Sequence, residues 1–164
     1  MAPATGLVLG TSFARGAFVS RRAAAASGLM DQDGHTQTAY GVDAEYSRGH
    51  LVTRADAVFS AWRIPLAVTR HVQTLRAAAV SLEARVTFLP GAYAAARAEH
   101  LTFGQVSTGA ETLPWDAPVT RLEVGAGYYL QRNLVARASI QFNDRHERRD
   151  TGARLAAAQL LFWF

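Results

Sequence analysis

Cysteine, lysine and long apolar runs are all missing from this chain of 164 residues. Without cysteine no disulfide bond can form, and without a run of 18 apolar residues no transmembrane helix is expected. All 17 basic residues are arginine, and with 13 acidic residues they leave a formal net charge of +4. A chain of this length is expected to form one domain, residues 1–164, that is large enough to bury a core.

Motifs that would indicate catalysis or metal binding are missing as well. The chain has no HExxH, GxSxG, phosphate-binding loop or paired-glycine dinucleotide fingerprint. Acids are interleaved with the basic residues, which argues against nucleic-acid binding. We therefore predict no enzyme activity, no cofactor, no metal site and no nucleic-acid partner. The histidines are scattered and form no ligand cluster: His35, His50, His71, His100 and His146.

Residues 119–164 carry the clearest structural pattern, in which every second residue is apolar. In the first half of this stretch the apolar positions are Leu122, Val124, Ala126, Tyr128 and Leu130. After a turn at residues 131–133 they are Leu134, Ala136, Ala138, Ile140 and Phe142. Alternation of this kind predicts two neighbouring β-strands, each with one apolar face.

The same alternation recurs along the chain and predicts eight strands. The earlier strands are expected at residues 6–18, 37–47, 51–64, 77–89 and 92–103, and the last is expected to end at Phe164. Long connections are expected at residues 21–36, 66–76 and 104–118, and short ones at 48–50, 90–91, 131–133 and 146–151. A helix over residues 66–84 is the competing prediction for one of these regions, because apolar residues there also recur at helical spacing.

The last residues of the chain alternate in the same way, with Leu160, Phe162 and Phe164 on one face. This pattern resembles the C-terminal assembly signal of Gram-negative outer-membrane β-barrels, in which a terminal aromatic residue ends the final strand. Gln159 stands where that signal usually has a small residue. The resemblance implies an all-β fold, an antiparallel up-and-down transmembrane β-barrel of about eight strands, in the bacterial outer membrane.

The resemblance also implies partners, namely outer-membrane lipids, lipopolysaccharide and the barrel-insertion machinery. Porins are often trimers, so the resemblance is also compatible with a homo-oligomer. Residues 1–5 lack the features of a secretory signal. We therefore expect that the chain begins after its signal, that its start is misassigned, or that it is the C-terminal part of a longer barrel.

The predicted inward faces carry charged residues that would line the lumen of such a barrel. Six acids and six arginines are expected there, a neutral set: Arg15, Asp43, Glu45, Arg54, Asp56, Glu83, Arg85, Arg97, Glu99, Arg121, Glu123 and Arg137. They would form an internal ion-pair network or select a permeating solute. The predicted outward face carries aromatic residues, as in interfacial girdles: Tyr40, Tyr46, Phe59, Phe88, Tyr128, Phe142, Phe162 and Phe164.

Three functions fit these observations. The first is porin-like passive diffusion of small hydrophilic solutes, which needs a barrel wider than eight strands. The second is a closed eight-stranded structural or surface-interaction barrel, whose loop residues Arg148 and Arg149 would contact lipopolysaccharide phosphates. The third is a soluble β-barrel binding protein with its apolar face turned inward. A lipid-modifying hydrolase that pairs His100 with Ser60 or Ser107 is a remote alternative.

Overall fold

The structure is a computed structural model that describes residues 6–19, 22, 35–65, 72–107, 109–145 and 152–164. Ten β-strands account for most of these residues. They are β1 (Leu7–Ala17), β2 (Thr36–Arg48), β3 (Leu51–Pro65), β4 (Val72–Leu89), β5 (Ala92–Phe103), β6 (Gln105–Ser107), β7 (Thr112–Pro114), β8 (Val119–Gln131), β9 (Leu134–Arg145) and β10 (Ala153–Phe162). Among the described residues, no helix is long and apolar enough to cross a membrane.

Eight of the strands form one antiparallel up-and-down sheet in the order β1-β2-β3-β4-β5-β8-β9-β10. The predicted all-β, eight-stranded up-and-down architecture is therefore confirmed. The two short strands β6 and β7 form a separate hairpin inside the connection from β5 to β8. In the described part of the chain β1 and β10 pair with one neighbour each and not with one another, so the sheet is open along these two edges.

Short turns join the strands at one end of the sheet, which we call the turn end. Gly49 and Gly91 provide two of these turns, with φ angles of 59° and 84° that other residues adopt only at a cost. The third turn, at residues 132–133, joins β8 to β9. The strand ends that the longer connections join lie at the opposite end, the loop end, so the predicted alternation of short and long connections is present.

The hairpin of β3 and β4 corrects two predictions. Residues 72–76 belong to β4, so the expected long connection at 66–76 is wrong there, and the helix over 66–84 is wrong from residue 72 onward. Residues 66–71 lie outside the described residues. Pairing of Trp62 with Leu75 extends the ladder, and Leu75 is only 7% exposed. Burying this leucine in the sheet outweighs the helical spacing of its neighbours.

The strand register divides the side chains between two faces. Residues that are directly opposite on neighbouring strands share a face, and successive residues alternate. One face, the apolar face, carries the expected alternating apolar residues, and many are strongly exposed, such as Leu9 and Phe13 at 71% each. The other face, the charged face, carries most of the ionised residues of the strands. Large buried side chains are few among the described residues, which are instead mostly exposed or half-buried.

Candidate functional site: the charged face of the sheet

A cavity of about 560 Å³ lies against the charged face. Strands from β3 to β10 contribute to its lining, with Arg54 at one side and Gln159 at the other. Strands that are five places apart in the sheet can line one cavity only if the sheet curls around it. The charged face is therefore the concave side of the sheet, and the apolar face is the convex side.

The register places eleven of the twelve predicted lumen residues on this concave face. They are Asp43, Glu45, Arg54, Asp56, Glu83, Arg85, Arg97, Glu99, Arg121, Glu123 and Arg137. Arg15 is the exception, because it pairs with Thr38, which lies on the apolar face together with Tyr40. The prediction for Arg15 is wrong, and the expected neutral set becomes six acids and five arginines.

One row of directly paired residues crosses five strands with charges of alternating sign. We call Glu45, Arg54, Glu83, Arg97 and Glu123 the charge row. Arg54 Nε donates to Glu45 Oε2 at 2.6 Å, and Arg54 Nη1 lies 3.8 Å from Glu83 Oε1. Opposite charges on facing strands stabilise a sheet by a few tenths to about 1 kcal/mol for each pair. The row therefore favours the observed register.

A second ion-pair cluster lies one row toward the loop end and centres on Glu99. Arg97 Nη2 lies 2.5 Å from Glu99 Oε1, and Arg121 Nη1 donates a hydrogen bond of 3.0 Å to Glu99 Oε2. Arg121 Nε also donates to Asn143 Oδ1 at 3.0 Å. Arg97 thus turns toward Glu99 on its own strand, although its position in the charge row places it between Glu83 and Glu123.

Two carboxylates face each other in the same row as Glu99. Asp43 on β2 is directly opposite Asp56 on β3, and Asp56 Oδ1 accepts a hydrogen bond of 2.5 Å from the Ser81 hydroxyl. Asp43 lies over Gly10, where an added Cβ would come within 2.4 Å of the carboxylate oxygens. No described group of three or more His, Cys, Asp or Glu residues is arranged to hold a metal ion.

Aromatic residues organise the turn end of the cavity. Arg85 Cζ lies 4.1 Å from the centroid of the Tyr93 ring, and Arg85 Nη2 donates to the Tyr129 hydroxyl at 3.3 Å. Across the cavity, Arg137 Nε donates to Gln159 Oε1 at 2.7 Å. The roles of Tyr93 and Tyr129 were not predicted from the sequence. Their placement on the charged side at alternating positions was the available signal.

The loop end of the concave face is apolar and aromatic. Phe18 packs edge-on against Trp62, with ring centroids 5.2 Å apart, and His35 packs against Phe18 at 6.4 Å. Leu75 and Val106 are buried here. The β6–β7 hairpin is tied to β4, because Gln73 Nε2 donates to the Ser107 carbonyl at 2.7 Å and Gln73 Oε1 accepts from the Ser107 amide at 2.9 Å. We call this group the loop-end cluster.

The convex face carries an apolar belt that ends in polar residues toward the loop end. Most of the predicted aromatic residues lie on this face, and Tyr40 stacks on Phe59 with centroids 5.2 Å apart. The belt gives way to four arginines that sequence reasoning did not place there, namely Arg15, Arg63, Arg76 and Arg154. We call these four residues the arginine rim. Arg154 lies over the Phe142 ring at 5.8 Å.

The predicted assembly-signal residues also lie on the convex face. Leu160 and Phe162 pair with Ala136 and Leu134, and both are strongly exposed, at 65% and 61%. Phe164 follows at the next position of the alternation and packs against Phe162 with centroids 6.4 Å apart. Trp163 lies on the opposite side by alternation, and its amide donates to the Asn133 carbonyl at 3.2 Å.

The hydrolase alternative would need His100 and Ser60 on the same face of the sheet, and they lie on opposite faces. His100 pairs with Thr120 on the apolar face, and its Nδ1 lies 3.0 Å from the Thr120 hydroxyl. Ser60 pairs with Ala39 on the charged face. Ser107 bonds to Gln73 in the loop-end cluster.

Comparisons of the chain with protein-family models, with curated proteins and with solved structures found no match.

Proposed function

We propose that this chain is a transmembrane β-barrel of the bacterial outer membrane. The observation that carries the proposal is the distribution of polarity on a curled sheet, with ionised residues on the concave side and exposed apolar residues on the convex side. Outer-membrane barrels have this arrangement, whereas a soluble barrel turns its apolar face inward. Exposed apolar surface on this scale needs a cover, and lipid is the cover that suits a continuous belt.

Closure of the barrel is consistent with the stagger of the sheet. A row of directly paired residues that starts at Leu7 on β1 reaches Ala156 on β10. A closed barrel requires a fixed stagger between the start and the end of such a row. If Leu7 on β1 lies opposite Phe164, just after β10, the edge strands β1 and β10 pair over nearly their whole lengths. Ala156 then lies opposite Arg15. We infer this register, in which Ser12 meets Gln159 on the concave side.

The extent of the apolar belt supports a membrane span. On β8 it runs from Leu122 to Leu130, nine residues, and it is bounded by Thr120 toward the loop end. A tilted transmembrane strand needs about 9–11 residues. Aromatic residues lie near both ends of the belt, Phe142 toward the loops and Tyr128 toward the turns, as at the two interfaces of a bilayer.

The arginine rim supports lipid phosphates as partners at the loop end. Arg15 and Arg76 lie in one row with Thr38 and Ala61 between them. Arg76 also borders a groove of about 480 Å³ that contains the Tyr40–Phe59 stack. Guanidinium groups bind phosphate oxygens well, and the aromatic surface beside them suits acyl chains. Lipopolysaccharide offers both phosphate groups and acyl chains. The two arginines expected from the sequence to contact it, Arg148 and Arg149, lie outside the described residues.

This geometry best supports a sealed barrel that has a structural or surface-interaction role and does not conduct. Eight strands enclose a lumen that side chains just fill, and the loop-end cluster of Phe18, Trp62 and Leu75 lies at one end of the concave face. Porin-like passive diffusion of small hydrophilic solutes is the second candidate. The charged cavity favours it, but it needs a wider barrel, made by several copies or by a longer chain.

Disulfide trapping tests closure directly, because the chain has no cysteine of its own. Ser12→Cys combined with Gln159→Cys should form an intramolecular disulfide after refolding into vesicles, and Thr11→Cys with Gln159→Cys should not, since Thr11 lies on the other face. A disulfide between two copies would instead indicate a wider barrel. A chain that remains monomeric and soluble without detergent would overturn the membrane proposal.

Conductance separates the two candidate functions. The refolded chain in a planar bilayer should be electrically silent if the barrel is sealed, and its gel mobility should change on boiling. Steady single-channel conductance would reject the sealed barrel and favour porin-like diffusion.

A further inference from the structure

Two arginines of the charged cavity have no carboxylate within 4 Å among the described residues. Arg85 on β4 and Arg137 on β9 both line the cavity near the turn end. The ion pairs of the described chain engage Arg54, Arg97 and Arg121 on this face and leave these two out. Guanidinium charge that protein carboxylates do not neutralise is available to an anion from solution.

The surroundings of each guanidinium hold it in place. Arg85 is half-buried, stacks on Tyr93 at 4.1 Å and donates to Tyr129. Arg137 is held through Nε by Gln159, and its terminal nitrogens make no hydrogen bond with other described residues. An arginine that is already positioned loses less side-chain entropy when it binds a ligand.

The strands between the two arginines, β5 and β8, contribute the small residues Ala95 and Gly125 to the cavity lining, and Ser139 lies next but one to Arg137 on β9. The Tyr93 ring lies over Gly127, the residue paired with Arg137. Its charged lining consists of four arginines, Arg54, Arg85, Arg97 and Arg137, and two glutamates, Glu83 and Glu123. Positive charge is therefore in excess, although the carboxylates would disfavour an anion placed beside them. The region bordered by Arg85, Arg137 and Ser139 is the part of the cavity best suited to an anion.

We propose that Arg85 and Arg137 form a binding site for a small oxyanion of the phosphate class. Phosphate offers oxygens to several donors at once, which matches the fork of a guanidinium group. The proposal goes beyond the barrel function and does not depend on membrane insertion, because β4, β5, β8 and β9 are consecutive in one continuous sheet. It applies equally to a sealed barrel and to a conducting one.

Isothermal titration of the refolded chain with inorganic phosphate tests the site, with chloride at equal ionic strength as the reference. The parent chain should bind phosphate saturably with one site. Arg137→Gln and Arg85→Gln should each weaken binding on the order of tenfold, as expected when a charge-assisted hydrogen bond is lost. Arg48→Gln is the matched control, because Arg48 pairs with Leu51 on the convex face, outside both the cavity and the arginine rim, and its replacement should leave the affinity unchanged.

Several results would reject the site. These are an absence of saturable phosphate binding by the parent chain, an unchanged affinity in Arg137→Gln, or an equal loss in Arg48→Gln. Arg137 is exposed, so its replacement should not prevent folding, and it decides the question even if Arg85→Gln does not refold. Far-UV circular dichroism of each variant reports folding separately. The titration uses no bilayer, whereas the barrel proposal is tested by disulfide trapping and conductance in membranes. Failure to bind phosphate can therefore be distinguished from failure to form a membrane barrel.

Discussion

Gly127 on β8 and Tyr93 on β5 are directly opposite each other, and the tyrosine ring occupies the space that a side chain at residue 127 would need. A Cβ added to Gly127 would lie 2.4 Å from the Tyr93 hydroxyl oxygen. At Gly125 the conflict is with the backbone, because an added Cβ would lie 2.7 Å from the Ala138 carbonyl oxygen. These glycines therefore make room for the ring that supports Arg85 and for the close approach of β9.

Alanine substitutions at these glycines should have graded effects. Gly125→Ala is expected to lower the free energy of unfolding by about 1–3 kcal/mol, the usual cost of overpacking, because a backbone oxygen cannot move aside easily. Gly127→Ala should cost less, because the Tyr93 side chain can rotate, but it should weaken the Arg85 stack. Urea unfolding in detergent micelles measures both changes.

Gly16 provides the matched control for these substitutions. Nothing in the described structure lies within 4 Å of a Cβ added there, so Gly16→Ala should be neutral or slightly stabilising. Equal losses in Gly16→Ala and Gly125→Ala would show that steric contact is not the cause.

Much of the strand content could be predicted from the sequence because most of the main strands alternate visibly. The first strand was harder, because Leu7, Val8 and Leu9 are consecutive apolar residues. Alternation alone could not decide which of them faces the cavity. Pairing with β2 decides it, since Leu7 faces Tyr46, and this register moves Arg15 to the convex side.

The candidate site was less predictable, because it depends on how neighbouring strands are aligned. The charge row and the opposed pair Asp43 and Asp56 arise only when turns such as the one at Gly49 set the register. Alternation identified which residues share a face, but not which ones meet. Likewise, the loop-end cluster brings Trp62 on β3 into contact with Phe18, which follows β1. The alternation of apolar residues along the sequence does not predict that contact.

Neutralising one member of the opposed carboxylate pair should stabilise the protein. Asp43 and Asp56 face each other directly, and like charges in that position destabilise a sheet by a few tenths to about 1 kcal/mol. Asp43→Asn should therefore raise the free energy of unfolding at pH 7, and the gain should shrink in high salt because salt screens the repulsion. Glu45→Gln is the contrasting variant, since it removes an attractive partner of Arg54 and should be destabilising. A destabilised Asp43→Asn would mean that its carboxylate has a favourable partner.

The connection before β8 should respond to acid through Asp116. The Arg145 guanidinium donates to this carboxylate at 2.5 Å, and that bond, with a weaker one from the Ala117 amide, lowers the pKa of Asp116 below its usual value. A lowered folded-state pKa means stabilisation that is present above the unfolded value and is lost as pH falls through the folded value. Asp116→Asn should therefore be less stable than the parent at pH 7, and the difference should disappear in strong acid. A difference that persists unchanged at low pH would reject the ionic origin. Denaturant unfolding at several pH values makes this comparison.

The two terminal aromatic residues should differ in their importance for membrane insertion. Phe164 continues the apolar convex face after Phe162, whereas Trp163 falls on the concave side by alternation. If the convex face meets lipid and the assembly signal is read from it, Phe164→Ala should slow folding into vesicles supplied with the insertion machinery several-fold more than Trp163→Ala. The two variants remove one aromatic ring each from adjacent positions, so they are closely matched. The rate is measured by the appearance of the heat-modifiable gel band. A larger effect of Trp163→Ala would indicate that the concave side of the last strand, and not its convex side, controls assembly.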